Sequence, residues 1–131
     1  MGTTATDMTY DPSSLVDPSY DEIVDSFGYE SDLAAVLGEW QGDYVYLLKD
    51  GDRRGILVVG YGSCSGCDVL EGCQGPSEVR SLASKLYGSI RWFDDLTGLK
   101  LWLMTSTDWY RYDVEFQAWA EGFIGGGFAF R

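Results

Sequence analysis

The sequence contains no histidine. Histidine is the commonest general base near neutral pH and a frequent metal ligand, so its absence excludes Ser-His and Cys-His catalytic pairs and every imidazole metal site. Without a base beside them, Ser63 and Ser65 are poor candidates for a hydrolytic nucleophile. We therefore expect a protein that is not an enzyme.

Basic residues are absent from the first 48 residues. That segment holds ten acidic residues, whereas the rest of the chain holds eleven acids and nine bases, so the net charge of −12 is concentrated in the N-terminal third. Direct binding of DNA or RNA is disfavoured, because a nucleic-acid binder neutralises phosphates and needs the opposite sign. An acidic field attracts cationic partners instead. Repulsion that keeps molecules apart in solution explains the same charge without any partner, and it is the more common reason.

Long apolar runs are missing as well. None approaches the ~20 residues that span a bilayer, and the polar start, Met1 to Asp11, lacks the basic and apolar regions of a secretory signal. We expect a cytoplasmic protein that does not contact a membrane. With 131 residues, 45% of them hydrophobic, the chain has the size and composition of one packed domain. We place this acidic domain at 17–131, after a flexible or loosely docked tail at 1–16.

Two short helices are expected after the tail. The first starts at Asp17-Pro18, with Asp17 as N-cap and Pro18 in the first helical position, and it ends at Gly28. Its apolar stripe has helical spacing and consists of Tyr20, Ile23, Val24 and Phe27. The second is expected from Ser31 to Gly38. Its apolar residues are Leu33, Val36 and Leu37.

Strand patterns dominate the next part of the chain. Residues 43–49 and 55–61 flank the turn signal Asp50-Gly51-Asp52, which predicts a β-hairpin. The uniformly apolar run Ile56–Val59 indicates a strand covered on both faces. A further short strand at 89–93 completes a small sheet, so we expect an α+β fold in which two or three helices pack on that sheet. Those helices are predicted from Pro76 to Gly88, from an Asp94 cap through Leu103, and from Val114 to Phe123.

Three cysteines, Cys64, Cys67 and Cys73, follow the hairpin. A Cys-x-x-Cys pair can hold zinc together with Cys73 and either Asp68 or Glu71, but structural zinc sites usually take their four ligands from two separated pairs. A redox pair after a strand is the second alternative. The third is a tight glycine-rich loop with buried thiols. We expect this structural loop, with no cofactor.

Aromatic residues are frequent in the irregular stretch before the last helix. Trp109, Tyr110 and Tyr112 lie where no regular element is clearly indicated. If their rings are exposed, they suit the centre of a protein interface, where tryptophan and tyrosine are enriched. The alternative is that they complete the core.

A resemblance to known proteins rests on two segments. They are Gly60-Tyr61-Gly62-Ser63-Cys64-Ser65-Gly66-Cys67-Asp68, which is followed by Leu70, and Ser89-Ile90-Arg91-Trp92-Phe93-Asp94. The chain resembles small proteins encoded by bacteriophages of actinobacteria and by their hosts, which share the cysteine string, a helix, a WFD-type turn and a Trp-containing acidic tail. Asp108-Trp109 matches that tail loosely, and the resemblance covers about residues 43–110. No activity is established for the group, so the resemblance implies a phage origin and no site residues.

Together these observations favour a phage-encoded acidic protein that binds a host protein with a basic surface. Such a protein would inhibit a defence or nucleic-acid-handling factor by surface competition, including mimicry of DNA. The residues expected to bind are the carboxylates and aromatics Asp21, Glu22, Asp25, Glu30, Asp32, Trp109, Tyr110 and Tyr112. The alternatives are a metal or thiol protein that uses the cysteines, and a structural protein of the virion. A small homo-oligomer is compatible with each hypothesis.

Overall fold

A computed structural model describes residues 10–38, 42–62, 70, 72–105 and 113–124. Within them, the strands are β1 (Glu30–Gly38), β2 (Gly42–Asp50), β3 (Arg53–Tyr61) and β4 (Arg91–Phe93), and the helices are α1 (Tyr20–Asp25), α2 (Pro76–Gly88), α3 (Leu96–Thr105) and α4 (Asp113–Ile124). A 3-10 turn covers Pro12–Ser14. The strands form one antiparallel sheet in the order β1-β2-β3-β4. The predicted α+β class is therefore confirmed.

Helix α1 is capped by Ser19, two residues later than expected. The Ser19 hydroxyl accepts a hydrogen bond from the Glu22 N–H at 3.1 Å, and the Glu22 carboxylate accepts one from the Ser19 N–H at 2.8 Å. This reciprocal pair is a capping box. The prediction that Asp17 is the cap is wrong, and Asp17 instead has a left-handed φ of 48°. The apolar stripe is confirmed, because all four of its residues are buried, namely Tyr20, Ile23, Val24 and Phe27.

The predicted second helix is wrong, since its residues form strand β1. The pairing of β1 with β2 is irregular between Leu33 and Ala35, which marks a β-bulge. An extra residue in one strand shifts the alternation of side chains between the two faces of the sheet. As a result Leu33, opposite Tyr46, and Val36, opposite Tyr44, lie on the same face although they are three residues apart. The bulge thus produced a spacing that is also typical of a helix.

The β2–β3 hairpin is confirmed. Its strands pair over their whole length and are joined by the two-residue turn Gly51-Asp52, in which Gly51 has a φ of 61°. The run Ile56–Val59 is covered on both faces as expected, because Leu57 and Val59 belong to one apolar cluster and Ile56 to another. Strand β4 pairs with β3, so the expected short strand is also present.

The sheet separates two layers of helices. We call the side covered by α1 and α2 the tyrosine face, and its buried cluster consists of Tyr20, Ile23, Val24, Phe27, Tyr46, Leu48, Leu57, Val59, Ala83 and Ile90. The opposite face is covered by α3 and α4, and its buried cluster consists of Leu37, Val45, Leu47, Ile56, Leu99, Leu103, Ala120 and Phe123. Both sides of the central strands are therefore removed from water, which is the main source of stability in such a fold.

The remaining helices lie where the sequence predicts them, except that one N-cap residue differs. Asp95, and not Asp94, accepts the hydrogen bond from the Gly98 N–H that closes the start of α3, at 2.9 Å. Before α1, Tyr10 and Leu15 pack against the tyrosine face, so this part of the expected tail contacts the domain. No helix in the described part of the chain is both long and apolar enough to cross a membrane.

Candidate functional site

The five predicted carboxylates lie on two sides of the sheet. Three of them are exposed on α1, namely Asp21, Glu22 and Asp25. Glu30 and Asp32 lie on β1, where the register puts them opposite Lys49 and Leu47. Leu47 belongs to the opposite face, and side chains alternate along a strand, so Glu30 and Asp32 point away from α1. The structure therefore brings together the first three carboxylates only.

Several of these carboxylates already have partners within the domain. Glu22 completes the capping box, and Asp25 accepts a hydrogen bond from the Ser31 hydroxyl at 3.3 Å. Glu30 lies 3.9 Å from the Lys49 ammonium in a partly exposed ion pair, and such surface pairs contribute little to stability. Asp21 accepts a hydrogen bond from Tyr46, a contact that the sequence alone did not indicate.

A cleft of about 290 Å³ opens beside Asp21 on the tyrosine face. Its walls include three tyrosine rings that meet at steep angles. The Tyr20 and Tyr44 centroids are 5.8 Å apart with planes at 62°, and the Tyr44 and Tyr46 centroids are 6.3 Å apart with planes at 63°. The described residues that line it are Ser19, Tyr20, Asp21, Leu33, Tyr44, Tyr46, Gly62 and Leu70. The rings form side walls around a space, with a carboxylate among them.

The Asp21 carboxylate is held in place by Tyr46. The Tyr46 hydroxyl donates to Asp21 Oδ1 at 2.6 Å, a length typical of a charge-assisted bond. Burial raises the pKa of Tyr46 far above its usual value, and the hydrogen bond and negative charge of Asp21 raise it further. Tyr46 therefore stays a neutral donor at physiological pH. A carboxylate has about four acceptor positions, so Asp21 retains capacity for a ligand.

The other two rings also have contacts within the domain. Tyr61 stacks on Tyr44 with centroids 4.5 Å apart, and its hydroxyl donates to the Leu37 carbonyl at 3.0 Å. The Tyr20 hydroxyl accepts a hydrogen bond from the Leu70 N–H at 3.2 Å. The Tyr44 hydroxyl makes no hydrogen bond to any residue in the described ranges. The cleft thus has fixed walls and one hydroxyl with bonding capacity to spare.

The cysteine hypotheses stay predictions. Cys73 is half-buried, and its N–H donates to the Leu70 carbonyl at 3.1 Å. Cys64, Cys67 and Asp68 lie outside the described residues. Among the residues that are described, no three metal-ligating side chains come together.

The prediction of aromatic residues for partner binding is not tested by the described residues. Trp109, Tyr110 and Tyr112 also lie outside the described residues. Tyr44 and Tyr46, which sequence reasoning assigned only to a strand, line the cleft instead. Their spacing of two places both rings on one face of β2, a signal that the sequence does contain. Their proximity to Asp21 depends on how α1 packs on the sheet.

None of the protein families, curated proteins and solved structures compared with this chain matches it. The resemblance to phage proteins therefore remains a prediction.

Proposed function

We propose that this domain binds a partner protein with a basic surface, and that α1 and the adjoining tyrosine cleft form the binding site. The observation that carries the proposal is the position of Asp21, whose carboxylate is fixed at the wall of an aromatic cleft. Glu22 and Asp25 extend the negative surface on the same helix. In protein interfaces, buried tyrosines supply much of the affinity, whereas charges steer the approach and select the partner.

The negative charge of the N-terminal third supports a positively charged partner. No lysine or arginine occurs before Lys49, so no basic residue within α1 or its preceding segment neutralises the carboxylates. A surface of this kind accelerates association with cationic surfaces and repels acidic ones. Given the resemblance to phage proteins, the partner we propose is a host factor that handles nucleic acid or acts in defence, blocked by competition for its basic groove.

Mimicry of a DNA duplex is a more demanding version of this proposal. A duplex carries one charge per ~1.7 Å of its axis. Helix α1 has six residues, so it is about 9 Å long, and it carries three carboxylates. Glu30 and Asp32 cannot extend this row because they point to the other side of the sheet. We therefore propose a local basic patch as the target, and not a groove that is filled over many base pairs.

The first test compares two variants with equal net charge. Asp21→Asn/Glu22→Gln/Asp25→Asn changes the net charge from −12 to −9, and its amides can still accept the bonds from Tyr46 and Ser19. The control, Asp52→Asn/Asp94→Asn/Glu121→Gln, removes three exposed charges elsewhere. With a fluorescent nona-arginine peptide in about 50 mM NaCl, where screening is weak, we expect roughly tenfold weaker binding for the α1 variant. The control should lose less than about threefold.

Equal losses in the two variants would contradict the proposal, because only the total charge would then matter. The same three proteins can also serve as baits in lysate of an actinobacterial host, with captured proteins identified by mass spectrometry. We expect a partner that the wild type and the control retain and that the α1 variant loses. Circular dichroism of each variant verifies that the fold is intact.

A further inference from the structure

The cleft beside α1 combines three ring walls with one oriented carboxylate, which is more specific than negative charge alone. We propose that it binds the guanidinium group of an arginine from an extended segment of the partner. This inference rests on the proposed function and identifies the group that fills its site.

The size of the cleft fits one side chain. Its volume of about 290 Å³ lies just below the range of ~300–1,000 Å³ that is usual for small-molecule and cofactor pockets. A long side chain that enters from the surface needs less space than a cofactor. Leu33, which lines the cleft, belongs to the edge strand β1 and is 38% exposed. A segment of another protein can therefore reach it.

The chemistry of the walls selects a cation. The face of an aromatic ring is electrostatically negative, and the Asp21 carboxylate adds a full negative charge. None of the described residues that line this cleft is a lysine or an arginine. An anion would be repelled, and an apolar group would remove water from Asp21 without replacing its hydrogen bonds. A cation satisfies both the rings and the carboxylate.

Arginine fits better than lysine. Its guanidinium is planar, stacks on aromatic rings and presents five donors that match a carboxylate, whereas a lysine ammonium is a strongly hydrated point charge. Two acceptors are available for those donors. Asp21 has acceptor capacity beyond its bond to Tyr46, and the Tyr44 hydroxyl has no partner among the described residues. The walls therefore match a flat, multidentate cation.

The surface next to the cleft is apolar and belongs to an edge strand. Leu33 is 38% exposed and Val36 is 52% exposed, and the register places them on the same face as Tyr46 and Tyr44. No described strand pairs with the outer side of β1. An extended segment can add to such an edge through its backbone and place alternate side chains on one face. We therefore expect an apolar residue two positions from the arginine.

The test uses a blocked peptide with one arginine two positions from a leucine, and matched peptides with lysine or citrulline in place of the arginine. Citrulline has nearly the shape of arginine but is neutral. In NMR titrations we expect the arginine peptide to bind at least about fivefold more tightly than the lysine peptide and about tenfold more tightly than the citrulline peptide.

Two pairs of variants locate the site. One pair leaves the net charge unchanged, and the other adds one positive charge at two different places. Tyr44→Leu should weaken binding of the arginine peptide about fivefold or more, whereas Tyr44→Phe, which keeps the ring, should lose less. Leu33→Lys places a cation at the cleft and should abolish binding. Leu101→Lys, at a 58% exposed position of α3 on the other side of the sheet, makes the same charge change and should have little effect.

The results also separate this inference from the proposed function. Equal binding of the arginine and citrulline peptides, or equal effects of Leu33→Lys and Leu101→Lys, would overturn the arginine site. If nona-arginine binding depends on the α1 carboxylates but Tyr44→Leu does not change the affinity for the arginine peptide, the proposed function stands. The proposal of an arginine site in the cleft is then wrong. If neutralising α1 has no more effect than its charge-matched control, the proposed function fails as well.

Discussion

The two faces of the sheet are built from different side chains. Seven of the nine tyrosines pack on the tyrosine face, namely Tyr10, Tyr20, Tyr29, Tyr44, Tyr46, Tyr61 and Tyr87. Among the described residues, the opposite face has no tyrosine and is closed by aliphatic residues, phenylalanine and tryptophan. Tyrosine combines an apolar ring with a polar tip, so it can pack in a core and still present a hydroxyl at the surface. One face is thus packed by apolar and aromatic side chains, whereas the other also carries the tyrosines that line the proposed binding site.

Hydrogen bonds connect the elements on the tyrosine face. The Tyr10 hydroxyl lies 2.9 Å from the Ser26 hydroxyl, and the hydroxyls of Tyr29 and Tyr87 are 3.2 Å apart. The first bond joins the segment before α1 to the C-cap residue of α1, and the second joins the residue before β1 to α2. Directional bonds fix ring orientation more strictly than apolar contact does. The candidate site lies on this hydrogen-bonded side of the sheet.

The largest expected effect is a loss of stability from a substitution on the opposite face. Leu47 is 1% exposed in its cluster, so Leu47→Ala should lower the free energy of unfolding by about 2–5 kcal/mol through lost burial and a residual cavity. Urea unfolding followed by circular dichroism measures this loss. Affinity for nona-arginine, corrected for the folded fraction, should stay unchanged. A clear loss of affinity in the folded variant would show that the two faces are not separate in function.

A smaller effect is expected from Tyr46→Phe, which removes one hydroxyl from the tyrosine face. The free energy of unfolding should fall by about 1–2 kcal/mol, because a bond to a charged acceptor is lost while Asp21 remains accessible to water. Binding of the arginine peptide should weaken as well, since Asp21 is no longer held in place. Unchanged stability and binding would mean that the 2.6 Å bond has no role in the cleft.

The same variant should alter the response to alkaline pH. Burial and the bond to Asp21 raise the pKa of Tyr46 above its usual value of 10.0. Above about pH 10 the unfolded chain therefore releases this proton while the folded chain keeps it, so stability falls as pH rises. This group contributes a slope of about 1.4 kcal/mol per pH unit. Unfolding curves between about pH 8 and pH 11 should show the wild type losing stability faster than Tyr46→Phe.

The smallest expected effect concerns the helix that supports the site. Ser19→Ala removes the side-chain half of the capping box and should cost about 1 kcal/mol. Ser14→Ala, at an exposed position before α1, is the matched control and should change stability by less than about 0.5 kcal/mol. Thermal unfolding monitored by circular dichroism distinguishes the two. Equal effects would show that α1 does not depend on its cap.

Local patterns in the sequence were sufficient for much of the fold. The hairpin follows from two strand-like runs around a short turn, and the buried stripe of α1 follows from its spacing. Strand β1 could not be predicted in the same way, because the bulge before Ala35 gives Leu33 and Val36 a helix-like spacing. The cleft was missed for another reason. It depends on the contact between Asp21 and Tyr46, which are 25 positions apart in the chain.

The bulge in β1 also limits how the length of this segment can change. Side chains before it alternate in one phase and those after it in the other, so each face receives the correct residues only if the number of residues is kept. Losing a single residue from the bulge would turn one half of the strand over, which would either bring Glu30 and Asp32 to the side of α1 or move Leu37 to the tyrosine face. Between Gly28 and Gly38, natural relatives of this protein should therefore differ in residue type far more readily than in residue number.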